Sequence, residues 1–385
     1  MPYPITGFAP DVNPLAVDQG ILVDANGIFP TEMGGVAPLP SPENVGSALS
    51  EQCLGLFQFR SLDGNDFRLI AGTKTKLNEY AASGWIDRSR AGGYVGTNNY
   101  RWRMQAWGNA IIATNYSDPM QVSVGGDFAD LSGSAPRAKY ITSAQDFVIS
   151  AYTYDATDGI VGNRVWWCAQ GDHTDWTPSL STQAGWKNLD DTPGPITGLA
   201  KLGNDFLVFK ERALYHATYV GPPYVWSFRL ISSLVGARDQ EAIVVSDTGV
   251  YFVGPDDFYY FDGASLHKQA GQGVRAWFQS NLSASYAVNI LSCLDPTRRL
   301  IFLFFPTSGA TLPNDCLIYH YPSGKWGRWQ VSIEAAVSLI QPNVTYDTAV
   351  CRWASRCGVS DGTSGLCNQD GKWPAGLAGV GIALA

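Results

Sequence analysis

The sequence predicts an all-β protein: a β-propeller of about six four-stranded blades, with seven as the alternative count, preceded by an extended Pro-rich N-terminal arm. Three observations carry this expectation. Short apolar runs recur along most of the chain, each closed by a turn rich in Gly, Asn, Asp or Pro, which is the punctuation of strands and hairpins. The tetrapeptide Gly-Asn-Asp-Phe at 64–67 returns at 203–206, both times between a first and a second strand. Aromatic residues make up 12% of the chain, with 13 Trp and 18 Tyr, and flat rings pack well on a pleated surface.

The clearest copy of the repeat runs from Ile196 to Gly263. Strands are expected at Ile196 to Leu202, Phe206 to Phe209, Ala213 to Tyr219 and Trp226 to Ser232. Four antiparallel strands make one blade. The pattern restarts at Ala242 to Ser246, Val250 to Val253 and Phe258 to Phe261. Upstream, the ladder begins at Cys53 with Leu54 to Phe59, Phe67 to Ala71, Lys76 to Ala81 and Trp85 to Arg88. Gly-Asn pairs suit tight hairpins because both residues tolerate positive φ, and a weaker copy of the turn stands at Trp107-Gly108-Asn109-Ala110.

Second strands are expected to start at Phe67, Ala110, Phe147, Phe206, Val250 and Leu300. The intervals of 43, 37, 59, 44 and 50 residues scatter around the length of one blade. Within the longest, Asp155 to Gly162 and Gly185 to Pro195 read as loop insertions. The last unit runs from Ile290 to Trp329. A leftover pair, Ala335 to Ile340 and Ala349 to Trp353, with a Gly-rich hairpin at Ser360-Asp361-Gly362, would complete the first blade and leave no open edge. One short helix is expected over Val274 to Leu282, because Val274, Phe278 and Leu282 fall on one face at i, i+4 and i+8.

Three regions follow: an arm over 1–50, the propeller over 51–373, and a Gly/Ala-rich tail over 374–385. Eight of the 22 prolines lie by position 42, and residues 1–50 contain no Lys or Arg. Proline fixes φ and lacks a donor, so the arm should run over a surface and stay out of a sheet centre. Its apolar residues need cover from the chain's own body or from a neighbouring subunit. Phe8, Pro10, Pro14, Ile21, Phe29 and Pro30 are the candidate interface residues.

Composition narrows the function classes. A net charge of −8 and a pI near 5.0 argue against duplex DNA binding, which draws its affinity from Lys and Arg on phosphates. The group Arg88, Arg90, Arg101 and Arg103 is the nearest thing to a basic patch and reads as a solvated strand face. Seven scattered Cys without a CxxC pair read as reduced thiols of a protein made in a cytoplasm. Cys351, Cys357 and Cys367 match no zinc spacing, and no His accompanies them. The N-terminus lacks a secretory signal, and the apolar stretch of about ten residues at 376–385 is too short to cross a bilayer. No membrane partner is expected.

No constellation points to catalysis, a cofactor or a metal. Of the four His, His216 and His320 fall in expected strands. His173 lies in Gly171-Asp172-His173-Thr174-Asp175-Trp176, which reads as a polar hairpin tip, with a metal loop or a degenerate Asp-box turn as the alternatives. The pairs Asp190-Asp191 and Asp256-Asp257 sit where Asp starts turns and lack the separation glycoside hydrolysis requires. Phosphate loops and Asp-rich calcium loops are absent.

Several stretches resemble one family, the tail hub or tail nozzle proteins of short-tailed bacteriophages. They are Gly7-Phe8-Ala9-Pro10-Asp11 through Gly20-Ile21-Leu22 and Asn26 to Gly35, the unit Ile196 to Tyr219, its successor Asp247 to Gly263, and Tyr319 to Trp329. The resemblance implies a non-enzymatic virion protein that forms a ring, usually a hexamer, beneath the portal and adaptor. Through that ring phage DNA is retained and ejected without sequence recognition. A carbohydrate-binding or carbohydrate-processing propeller is the alternative, motivated by the Trp-rich loops around Trp176, Trp186 and Trp226.

Overall fold

The computed structural model describes residues 5–13, 20–39, 48–81, 84–269, 273–340 and 380–384. Six antiparallel blades follow one another around a common axis. Blade 1 comprises Gly55–Arg60, Phe67–Gly72, Leu77–Ala81 and Gly84–Asp87. Blade 2 comprises Arg103–Trp107, Ala110–Thr114, Gln121–Ser123 and Ala129–Asp130. Blade 3 comprises Arg137–Ala144, Phe147–Asp155, Gly159–Trp167 and Gly185–Asn188. Blade 4 comprises Ile196–Leu202, Asp205–Lys210, Leu214–Gly221 and Val225–Ser232. Blade 5 comprises Ile243–Val245, Val250–Val253, Phe258–Phe261 and Leu266–Gln269. Blade 6 comprises Leu291–Asp295, Leu300–Phe305, Asp315–His320 and Lys325–Trp329.

Each expected second strand is the second strand of a blade, and the repeat frame therefore holds around the ring. Gly64, Gly108 and Gly203 all take positive φ (74°, 57° and 61°), as the Gly-Asn hairpins require. The expected helix forms over Arg275–Asn281 between blades 5 and 6, with Val274, Phe278 and Leu282 buried.

Two expectations about the repeat give way. Gly185–Asn188 is no insertion: it pairs with Arg164–Trp167 as the outer strand of blade 3, because Trp186 and Lys187 can face outward from an edge. The extra length of that unit comes from nine-residue second and third strands and from the loop over 168–184. Nor does the leftover strand join blade 1. Ala336–Ile340 pairs with Val380–Leu384, out of the Gly/Ala-rich end, and wedges between the inner strands of blades 6 and 1. The expected strand at Ala349 to Trp353 and the hairpin at 360–362 lie outside the described residues.

The core lies between blades. Phe147, Phe206, Tyr215 and Trp226 belong to the cluster that seals blades 2, 3 and 4. Phe258, Phe278, Phe305 and Trp326 seal blades 5 and 6 around the helix. At the seam of the first two blades, Trp102 lies so close to Gly55 and Gly72 that a Cβ on either would collide with it, and its Nε1 donates to the Thr73 carbonyl at 2.8 Å.

The arm docks on blade 6. Ile28–Pro30 and Val36–Pro38 extend that sheet beyond Lys325–Trp329 as a fifth and sixth strand. Pro38 is admitted on the sixth strand because an edge needs no donor on its outer side, and Pro30 stands at the very end of the fifth. Asp24 meets Arg328 at 3.1 Å, Asn26 accepts from the Gln330 N–H at 2.8 Å, and Lys325 donates to the Gly34 carbonyl at 3.2 Å.

Candidate functional site

The inner strand of each blade begins, and its second strand ends, at one face of the propeller, as the pairing of Arg137 with Tyr154 and of Arg103 with Thr114 records. The connections between blades reach the axis from this face. Blade 2 contributes Arg101 and Arg103, blade 3 Tyr140, the link into blade 5 Asp239, Gln240 and Glu241, and the link after blade 6 Glu334.

These groups bridge the axis. Arg103 lies 3.0 Å from Asp239 and 3.3 Å from Glu241, although blades 2 and 5 stand on opposite sides of the ring. Tyr140 donates to the other Asp239 oxygen at 3.1 Å, and the Arg103 guanidinium lies 4.8 Å from the centre of the Tyr140 ring. Gln240 clasps blade 4, accepting from the Leu199 N–H at 2.7 Å and donating to its carbonyl at 2.8 Å. Ser292 of blade 6 donates to the Glu241 carbonyl. Arg101 donates to the Glu334 carbonyl at 3.0 Å, and Glu334 accepts from the Cys53 N–H at 2.7 Å.

Burial works against the charge on Arg103, but Asp239 and Glu241 outweigh it and raise its pKa. Arg101 has less compensation, and burial lowers its pKa. The Tyr140 phenol is pushed well up by burial and by Asp239. A paired network of this kind fixes the mutual position of five blades; breaking it would leave a buried charge uncompensated.

The basic group read from the sequence is therefore no solvated face. Arg88 is held by Glu79 at 2.9 Å, and Arg90 by Asp118 at 2.9 Å and Asp130 at 2.5 Å. Arg101 and Arg103 belong to the axis. Arg68 tightens the same seam, donating from blade 1 to Glu79, Ser123 and the Gly126 carbonyl.

The structure separates the arm's candidate interface residues. Phe8 is 2% exposed and packs edge-on against Trp277 at 5.4 Å, inside the chain's own core. Pro30 is buried, Phe29 packs against the core of blade 6, and Pro10 and Ile21 are half-buried; Pro14 lies outside the described residues. Asp11 is a feature that sequence reasoning missed. Its two oxygens accept from the Ala276 and Trp277 N–H groups, both at 2.7 Å, at the start of the helix. Val274, at the capping position, offers no side-chain acceptor, and a residue 265 positions away supplies one.

The tryptophans behind the carbohydrate alternative are mostly interior. Trp176 is fully buried, with Nε1 donating to the His173 carbonyl at 2.8 Å; Trp226 is 2% exposed; only Trp186 reaches the surface. His173 packs at a tilt against Trp107, 4.8 Å between ring centres, at a turn where Asp172 accepts from the Thr174 N–H and hydroxyl. His216 and His267 each pair with a neighbouring Asp, at 2.8 and 2.9 Å. His320 is sealed in blade 6, with Nδ1 on Ser323 at 2.7 Å. Cys53, Cys168, Cys293 and Cys316 are buried free thiols, and burial raises the first three to about 11, about 12 and about 11. Among the described residues no group of three or more His, Cys, Asp or Glu is placed to hold a metal ion.

Fold and site together define a six-bladed β-propeller with a polar axial bridge and an arm laid over its last blade. No family model and no curated protein matches the chain. Among solved structures it is similar to YCF48 from Cyanidioschyzon merolae, with 12% identity over 73% of this chain and 86% of that one, at a TM-score of 0.39. It is also similar to the extracellular domain of the hybrid two-component system BT4673 from B. thetaiotaomicron, with 13% identity over 72% of this chain and a third (33%) of that one, at a TM-score of 0.39. Neither similarity carries an argument about this chain.

Proposed function

We propose that the chain is a structural subunit of a bacteriophage tail, a hub or nozzle component that assembles as a ring, with a hexamer as the expected order, beneath the portal and adaptor. The observation that carries the reading is the arm. The stretch Gly7 to Gly35, which bears the resemblance to that family, runs through Phe8, Asp11, Asp24 and Asn26 into blade 6 as an integral part of the propeller. The chain is read as having no catalytic step: its described thiols are buried and its His residues are engaged in turns and strands.

The axial bridge sharpens what such a role requires. With Arg103 and Asp239 in contact across the propeller, DNA cannot pass along the blade axis. The lumen must be the space enclosed by several copies. A wall of net negative charge suits that use, because it repels phosphates and lets DNA slide. No described helix is long and apolar enough to cross a membrane.

Immunogold labelling of virions purified from the host that carries the gene tests the proposal. Label at the neck or tail of every particle is the expected result, and particles that lack the protein would sink it.

A further inference from the structure

The outer edges of the six blades are unlike one another. The fourth strands of blades 1, 2, 3 and 5 are four, two, four and four residues long, and the arm covers the edge of blade 6. Short or covered edges deny other chains a template for strand pairing. Blade 4 is the exception: its outer strand Val225–Ser232 has eight residues, contains no Pro, and pairs only with Leu214–Gly221. Val220, Tyr224, Leu230 and Leu234, on this strand and beyond its two ends, are exposed. Apolar side chains gathered along one edge mark an interaction surface.

Charge indicates what covers it. Residues 196–237, blade 4 and its following link, carry four Lys or Arg against two Asp or Glu, although the whole chain stands at −8. Arg229 is exposed midway along the edge, and its side chain makes no hydrogen bond or ion pair among the described residues. The arm is the converse, with five Asp or Glu and no Lys or Arg in residues 1–50. Where it lies on blade 6 it presents Glu32 next to the exposed Met33, and Asp24 next to the exposed Val23. Glu32 and Asp24 each meet one base of blade 6, Arg299 at 3.7 Å and Arg328 at 3.1 Å, yet their side chains remain 69% and 87% exposed. A carboxylate has lone pairs for a second cation.

We propose that the outer edge of blade 4 docks on the arm-covered edge of blade 6 of a second copy, with Arg229 facing Glu32, the more loosely held of the two acids. The contact rests on the ring reading above and supplies its order. Six blades around one axis stand about 60° apart, so blades 4 and 6 point about 120° apart. The two patches differ, which makes the contact head-to-tail, and such contacts build a ring when the rotation closes. Directions about 120° apart form the corner of a hexagon, so copies with parallel propeller axes close after about six. Blade 5 lies inside that corner and faces the lumen. Over 243–269 it carries Asp247, Asp256, Asp257 and Asp262, with Lys268 as its one Lys or Arg, and an acidic wall repels phosphates.

Sedimentation velocity of the purified chain over a range of concentrations, with negative-stain class averages, tests the contact. The parent should assemble into rings of about six copies. Arg229→Glu sets like charges opposite one another and should weaken assembly about tenfold or more. Because Arg229 is exposed, the urea midpoint of that variant should match the parent's. Glu32→Arg should weaken assembly in the same way, and the double variant Arg229→Glu with Glu32→Arg should recover it. Rings as stable in Arg229→Glu as in the parent, or no recovery in the double variant, would overturn the contact and leave the tail reading standing. A parent that stays monomeric at every concentration would overturn the contact as well, and immunogold labelling of virions then decides the tail reading by itself.

Discussion

Single residues carry sharp consequences where charge or bulk is sealed inside. His320 is 1% exposed, and its Nε2 is buried without a partner. Burial lowers its pKa, with Glu32 opposing that effect and Arg299 adding to it. The unfolded chain therefore takes up this proton at a higher pH than the folded one. The stability held by neutral His320 is complete above the unfolded pKa of about 6.5 and is lost as pH falls towards the lower folded value. Urea midpoints measured between pH 7.5 and 5 should fall with acidification, and His320→Gln should flatten that slope; an unchanged slope would contradict the assignment. Trp176→Ala empties a fully buried site and should cost about 3–5 kcal/mol by urea denaturation. Glycan binding that disappears in a Trp176→Ala protein of undiminished stability would instead revive the carbohydrate reading. At the axis, Asp239→Asn removes one partner of a buried pair. The loss should be about 3 kcal/mol, near the low end for such breaks, because Glu241 still faces Arg103 at 3.3 Å.

At the scale of elements, local signals and distant ones parted company. The strands were legible because each is bounded by its own turn chemistry, and the Gly-Asn hairpins at 64, 108 and 203 wrote the frame of the repeat directly. Contacts that join remote stretches leave no such mark. Nothing near Val274 hints that Asp11 caps the following helix, and nothing near Arg103 names Asp239 as its partner 136 positions away. The outer strand Gly185–Asn188 was missed because a four-residue edge strand with Trp and Lys has neither alternation nor length to show it. The capping role of Asp11 is checked by Asp11→Ala. It should lower stability by about 1 kcal/mol and expose the arm to limited proteolysis, whereas Asp11→Asn, which keeps an acceptor, should lose less. Equal protease resistance in all three proteins would contradict the contact.

On the scale of the whole molecule, the ring is closed by two devices at one seam. The strand Ala336–Ile340, paired with Val380–Leu384, fills the space between blades 6 and 1, and the arm hairpin covers the outer edge of blade 6. Closing or covering edges in this way removes templates for unwanted strand pairing. The blade count could be read from the recurrence of second strands. The manner of closure could not, because the partner of Ala336–Ile340 is a Gly/Ala-rich segment with almost no strand signature. In the proposed tail role, with the propeller axis bridged by Arg103, Asp239 and Glu241, the passage for DNA would lie between copies of the chain. The most direct test of the proposed tail role is a cryo-EM reconstruction of the purified chain mixed with portal–adaptor rings assembled from genes neighbouring its own. A closed ring of copies beneath the adaptor, with an open lumen between subunits and filled propeller axes, is the expected result. A chain that stays monomeric and never joins those rings would contradict it.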